Sequence, residues 1–394
     1  RMGMETQLDE YIAIIGVLIG IELARRVVGN VFVILGVILL LFGVYGYLMP
    51  DLISHAGATF PELCTSIFYK SDGVFGIMAN VLATYVILFV LFGAFLEKSG
   101  AQRFFIDFPL AAVGHKVGGP GKVAVIASGL FGSISGSAIA NTVSTGSFTI
   151  PMMKRAGFRP HVAGGIEPAA SISGMFMPPI MGAGGFIMAE LTGVPYSQIM
   201  LVAIFPAIMY VFSVFMMVHY EAKIHNVRGE KSKHSAWYIL RTEWFYTLPL
   251  VIITILMLYG YSPAYAAIIG LFSCIAVAWI KKDTRMGPKR FIEAARAGTE
   301  NSLTIGATVG VIGIIIGVLT FSGLILTFAD IMIELAAGKL WLTILFIALA
   351  SLILGMGVPV TAAYLITAVV AVPALTHLGV NEIAAHMIVY WLSQ

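Results

Sequence analysis

Residues 132–151 read GSISGSAIANTVSTGSFTIP, and the fold turns on how this stretch is housed. Ser133, Ser135, Ser137, Asn141, Thr142, Ser144 and Thr145 crowd into a span broken by Gly132, Gly136 and Gly146 and closed by Pro151. The chain around it is 59% hydrophobic and 11% charged, where soluble domains carry roughly 25% charge. Its apolar residues come in continuous runs of membrane-spanning length, with no sign of the alternation of a β-barrel. The class is therefore an all-α polytopic membrane protein. Hydrocarbon offers no partner to an unpaired backbone group, so a glycine-broken, hydroxyl-rich segment is shielded by protein or lines a wet cavity.

Outward from that stretch, apolar runs predict membrane helices near 11–24, 31–49, 74–96, 161–192, 199–219, 244–260, 264–280 and 304–329, with another starting near 381. The segments 122–151 and 341–373 are apolar but broken by Gly, Ser, Thr and Pro. Each is long enough to enter the membrane, turn and leave on the same side. Residues 50–73 and 283–303 mix charged and apolar positions and read as interfacial arms. Lys98, Arg103, Lys116 and Lys122 lie at or before the first broken segment and Lys154, Arg155 and Arg159 follow it. Both of its ends are thus expected on the cytoplasmic side, and 220–243 reads as a basic cytoplasmic loop.

An odd number of predicted crossings separates the two broken segments, so the second is expected to enter from the external face. A re-entrant hairpin from each face is the mark of an inverted repeat. The sequences agree: GSAIANTVSTGSFTIP (136–151) and GVPVTAAYLITAVVAVP (357–373) share a Gly start, a small polar centre and a closing Pro. This divides the chain into 1–50, a first repeat over 51–243 with its hairpin at about 122–151, and a second over 244–394 with its hairpin at about 341–373. The chain stops at Gln394 directly after MIVYWL. It reads as a fragment cut at both ends, with the second repeat incomplete and its proline break expected beyond Gln394.

The chemistry lies at the breaks. Sodium favours hard oxygens, and Ser135, Ser137, Asn141 and Thr142 offer them at one hairpin tip. In SISGMFMPPIMG (171–182) a proline removes a helical hydrogen bond, so Gly174 and Pro178 mark freed carbonyls. The plain alternatives are close helix packing through GxxxG and a simple proline kink. Neither needs Asn141, whose amide demands partners in an apolar setting. GMGVPVT (355–361) repeats the pattern or forms an ordinary turn between two short helices. Glu22, Glu167, Glu190, Asp330 and Glu334 fall near predicted span ends and read as interfacial anchors and salt-bridge partners, Glu167 standing apart beside the cavity-lining helix. With no acid expected mid-membrane, coupling through neutral oxygens is favoured over a carboxylate proton relay.

Other classes lack support. Cys64 and Cys274 make no metal or disulfide pattern, and a net charge of +3 does not point to nucleic acid. There is no GxxxxGK[ST]. The histidines fall mostly in loops or at span ends, away from a serine they could activate, so an enzyme is not expected.

At this point the motifs resemble a known family. GSISGSAIANTVSTGSFTIPMMKR (132–155), EPAASISGMFMPPIMGAGGFIMAE (167–190) and ALASLILGMGVPVTAAYLITAVVAVPAL (348–375) resemble the large membrane subunit of TRAP transporters, over roughly residues 74–394. The flavour is that of the TAXI subgroup, with fused small and large permease subunits, and helices 11–24 and 31–49 would be the tail of the small-subunit portion or a linker to it. The resemblance implies a multi-pass inner-membrane importer of small organic acids, moving as an elevator. Sodium would be the coupling ion, with no other cofactor, and a periplasmic substrate-binding protein would deliver the acid.

It also implies sodium ligands at Ser135, Ser137 and Asn141 with Gly174 and Pro178, and at Gly355, Gly357 and Thr361. Helix N-termini at the tips would meet a carboxylate, with Thr142, Ser144, Thr145 and Met175 as candidate lining. No arginine inside a broken segment marks a carboxylate clamp. A stand-alone divalent-anion/sodium symporter and a non-transporting membrane scaffold are the competing readings.

Overall fold

The computed structural model describes residues 6–27, 29–70, 73–229, 232, 234–355 and 360–394. Among these residues helix follows helix with no strand, the expected outcome where each segment must pair its own backbone. First come α1 (Gln7–Val27), α2 (Asn30–Tyr45), α3 (Phe60–Tyr69), α4 (Ile77–Val81) and α5 (Ile87–Lys98). Next are α6 (Ala101–Val113), α7 (Gly119–Ser135), α8 (Ala138–Arg155), α9 (Pro160–Phe176) and α10 (Gly182–Thr192). Then come α11 (Tyr196–Ile224), α12 (Ala236–Glu243), α13 (Leu248–Leu258), α14 (Pro263–Ala278) and α15 (Pro288–Ser322). The chain closes with α16 (Leu324–Leu335), α17 (Leu340–Gly355), α18 (Val360–His377) and α19 (Glu382–Leu392).

Local chemistry sets these ends. Thr59, Ser137, Ser235, Ser262 and Asn381 cap α3, α8, α12, α14 and α19, each side-chain oxygen accepting a first-turn N–H. Prolines open α9 and α14, where a missing N–H is harmless. α4 runs through a π-turn into α5, so Ile77–Lys98 forms one apolar helix long enough to cross a membrane. Tyr196–Ile224, Ala236–Leu258, Pro288–Ser322 and Val360–His377 are also long and apolar enough.

Two elements depart from the sequence expectation. The interfacial arm 283–303 and the span 304–329 are instead one helix from Pro288 to Ser322, stopped by left-handed Gly323 at φ +70°. No proline or left-handed residue interrupts that run after Pro288, and Arg296 and Glu300 pair at i,i+4 across 2.7 Å along it. Residues 220–243 are only partly loop, because α11 continues to Ile224 and the Ser235 cap starts α12.

Packing sorts the chain into two compact units. The first holds the described residues up to Ala83 with Glu190–Gly193 and Leu303–Gln394, the second Thr84–Ala189 with Val194–Ser302. In the first, α1 and α3 pack together, and α18 packs against α16, α17 and α19. In the second, α7, α8, α9 and α11 surround a core that includes Val125, Met153, Ala163, Ala170 and Val218. Phe186 of α10 stacks between Phe89 and Tyr196, with centroids 4.6 and 4.4 Å away.

Candidate functional site: the α7–α8 hairpin and the α9–α10 break

The stretch 132–151 folds as two helices joined by two residues, Gly136 and Ser137. Gly136 sits at φ +60° and returns its N–H to the Gly132 carbonyl at 3.0 Å, closing α7. Only glycine fits, because a Cβ there would lie 2.9 Å from the Gly182 Cα. The hairpin tip thus lies against the first residue of α10. Ser137 then caps α8, accepting the Ala140 N–H at 3.3 Å.

Behind the tip, α7 and α9 touch backbone to backbone. A Cβ on Gly174 would fall 2.3 Å from the Gly132 Cα, and one on Gly132 would meet the Asn141 Nδ2 at 2.7 Å. Asn141 and Gly174 therefore flank the same point. Asn141 is fully buried and donates from Nδ2 to the Ser128 carbonyl at 2.8 Å. A carbonyl can only accept, so the amide must face it with its NH2 end, and this bond fixes the amide orientation. It leaves the buried Oδ1 with no partner. Such an orphan acceptor costs about 1–3 kcal/mol and calls for an explanation.

The facing break frees a backbone carbonyl. α9 ends at Phe176 and α10 begins at Gly182, with prolines at 178 and 179 between them. The helical partner of the Gly174 carbonyl would be the Pro178 nitrogen, which carries no hydrogen. The Tyr196 hydroxyl donates to the Pro179 carbonyl at 2.9 Å and also contacts that of Ile180. Met181 and Gly182 both lie at φ +58°; for a bulky side chain that conformation is strained and is found where the surroundings impose it.

Glu167, the acid expected to stand apart beside the cavity-lining helix, is fully buried and is not an interfacial anchor. Its carboxyl meets Ser128 of α7 at 2.6 Å and Ser171 at 3.4 Å, and it bonds Thr145 and Thr149 of α8. Gly146 makes room, since a Cβ there would sit 3.0 Å from the Glu167 Cγ. The signal was present in the spacing: Thr145 and Thr149 are one helical turn apart, as are Glu167 and Ser171.

The other expected residues are placed as follows. The Ser135 side chain and residue Gly357 lie outside the described residues. Pro178 is half-buried in the break, and Met175 is buried beside Gly182, whose Cβ would lie 3.1 Å from its Cε. Thr142 and Ser144 are half-buried and donate back to the Ala138 and Ala140 carbonyls at 2.8 and 2.9 Å. Thr145 lies on the other face of α8, turned into the Glu167 cluster. In the first unit, Gly355 ends α17 with its Cβ direction 3.6 Å from the Ser393 carbonyl, and Thr361 is half-buried in the first turn of α18. Ser351 and Thr367 there each bury a hydroxyl oxygen without a partner.

Comparison with known proteins adds the family. The family model for the DctM component of tripartite ATP-independent periplasmic (TRAP) transporters matches residues 15–394. That range takes in α2 and most of α1, the helices expected to be the tail of a small-subunit portion or a linker to it. A putative TRAP transporter large permease of Haemophilus influenzae is 26% identical over 301 residues, 75% of this chain and 69% of that protein. The C4-dicarboxylate TRAP transporter large permease DctM of Pseudomonas aeruginosa is 25% identical over 338 residues, 81% of this chain and 76% of its own. The fold is similar to the YdaH transporter of Alcanivorax borkumensis, with TM-score 0.54 and 17% identity over 96% of this chain and 86% of that one. The chain belongs to the DctM-component family of TRAP transporters, multi-pass permeases of the inner membrane rather than enzymes.

Proposed function

We propose that the chain is the membrane permease of a sodium-coupled importer that takes small organic acids from a periplasmic binding protein. The observation that carries this reading is the orphaned Oδ1 of the fully buried Asn141, a side chain that flanks the Gly132–Gly174 crossing. A hard neutral oxygen left unpaired at a buried point suits a monovalent cation, which would cancel the cost of leaving the amide unpaired, and the Gly174 carbonyl freed by Pro178 is its proposed partner ligand. Ser135, Ser137 and the Pro178 break complete the first sodium site. Gly355, whose Cβ direction lies 3.6 Å from the Ser393 carbonyl, forms part of the second with Gly357 and Thr361. The α7–α8 hairpin enters and leaves on one side, its counterpart at 341–373 does so from the other, and the two move as an elevator. The acid class follows relatives named for C4-dicarboxylates and 2,3-diketo-L-gulonate. The half-buried Thr142 and Ser144 line its path with Met175, while Thr145 supports them from behind.

The test is uptake of radiolabelled C4-dicarboxylates and sugar acids into proteoliposomes with the cognate binding protein. Uptake is expected only with an inward sodium gradient and only with the binding protein present. Asn141→Ala is expected to weaken sodium activation about tenfold, ~1.4 kcal/mol, without unfolding. Uptake without the binding protein would favour the stand-alone symporter, and none with every ion gradient and acid would leave a scaffold.

A further inference from the structure

The Glu167 cluster is not explained by packing or by the sodium ligands. A fully buried carboxyl normally has a cation beside it, yet Glu167 has no ion pair among the described residues. The helices packed around it carry few charges. α7 has Lys122, α8 has Lys154 and Arg155, α9 itself has His161, and α11 has His219, Glu221, Lys223 and three tyrosines. None touches Glu167. Lys122 instead places its ammonium 2.9 Å from the His219 Nδ1 and over the Phe215 ring.

Counting hydrogens shows what the cluster can hold. Ser128, Thr145, Thr149 and Ser171 bring four hydroxyl hydrogens to seven oxygen–oxygen contacts. Four of these contacts run to the carboxyl, two to the backbone carbonyls of Asn141 and Thr145, and one joins Ser128 to Thr145. With Glu167 ionised, every hydroxyl turns to the carboxylate, and the two carbonyls keep their ordinary helical N–H partners. With Glu167 protonated, its Oε2–H donates to Thr149, Thr149 donates to the Thr145 carbonyl, and Thr145 donates to that of Asn141. Ser128 then serves either neighbour. Apart from the one proton gained or lost at the carboxyl, the two states differ only by hydroxyl rotation, and no heavy atom has to move. A carboxyl with partners in both protonation states can take up or release a proton without repacking the helices around it.

The geometry points to Glu167 as a proton-exchanging site inside the α7–α8–α9 core, adding a proton to the ions that drive transport. The Asn141 carbonyl, on the residue proposed to hold sodium, is one hydroxyl away through Thr145. This coupling role rests on the importer reading; the proton site itself does not.

The test has two arms on the full chain in lipid vesicles. Infrared difference spectra between acidic and alkaline buffer, with isotope-labelled glutamate, are expected to show a protonated glutamate carbonyl band that is lost in Glu167→Gln. Thr149→Val keeps the volume and removes one rotor, and it is expected to shift that band; it serves also if Glu167→Gln does not fold. No pH-dependent glutamate band, a band that survives in Glu167→Gln, or one unmoved by Thr149→Val overturns the proposal. In uptake with binding protein and a fixed sodium gradient, an imposed pH gradient is expected to change the rate in wild type and not in Glu167→Gln. A retained response removes the coupling role while sodium-driven uptake stands. Absence of all uptake overturns the importer reading and that role together, and the infrared band still decides the proton site.

Discussion

Gly132 and Gly174 meet backbone to backbone, and they define what the residue scale permits. A methyl on Gly174 would lie 2.2 to 2.6 Å from three backbone atoms of Gly132, which cannot turn aside as a side chain would. Gly174→Ala is therefore expected to force α7 and α9 apart at a cost of about 1–3 kcal/mol or more, read as a lower melting temperature in detergent. Gly164 and Gly165 give the opposite outcome on the same helix, because a Cβ at either meets nothing within 4 Å. Gly164→Ala and Gly165→Ala are expected to leave the melting temperature unchanged or raise it, by up to about 1 kcal/mol each. Equal behaviour of the two kinds of glycine would refute the crossing. Sequence alone does not tell the two kinds apart, since what separates them is the neighbour each one faces.

Among the elements, the α7–α8 hairpin was legible because every device that makes it is local. Gly136 supplies the left-handed turn, Ser137 the cap and the basic residues the flanks, so the broken segment 122–151 corresponds to helices spanning 119–155. The α9–α10 break was legible for the same reason, with Pro178 and Pro179 unable to donate. What escaped notice was not local. Charges at 283–303 suggested an interfacial arm, yet they ride on one uninterrupted helix to Ser322. Glu167 looked like a span-end acid because its four hydroxyl partners come from three different helices, which no single stretch displays. Ser137→Ala is expected to cost about 1 kcal/mol through the lost cap. Gly136→Ala should cost more, since its Cβ adds a clash 2.9 Å from Gly182 to the left-handed strain. A double substitution weaker than Gly136→Ala alone would show that the turn does not hold the hairpin.

For the whole molecule, the sodium proposal has a thermodynamic consequence that needs no transport assay. An ion that binds only the folded protein stabilises it by mass action, about 2.7 kcal/mol at a hundredfold excess over Kd. Melting in detergent is expected to rise with sodium at constant ionic strength, with potassium or choline as the replacement cation. Asn141→Ala should flatten that dependence, and a rise that persists in the variant would move the ion elsewhere. The two compact units enter separately, because Asn141 belongs to one and Gly355 to the other. Variants at the two positions are expected to lower the sodium dependence additively.

The glycine crossing also has a mechanical meaning. Where two backbones meet with no side chain between them, neither helix can slide along the other without prising both apart. The hairpin and α9 should then travel as a single carriage. Gly129 lies one turn before the crossing, with its Cβ direction 3.4 Å from the Ser173 hydroxyl oxygen. A cystine made by Gly129→Cys with Ser173→Cys would rivet the carriage to itself, and the loaded protein should turn over as fast riveted as reduced.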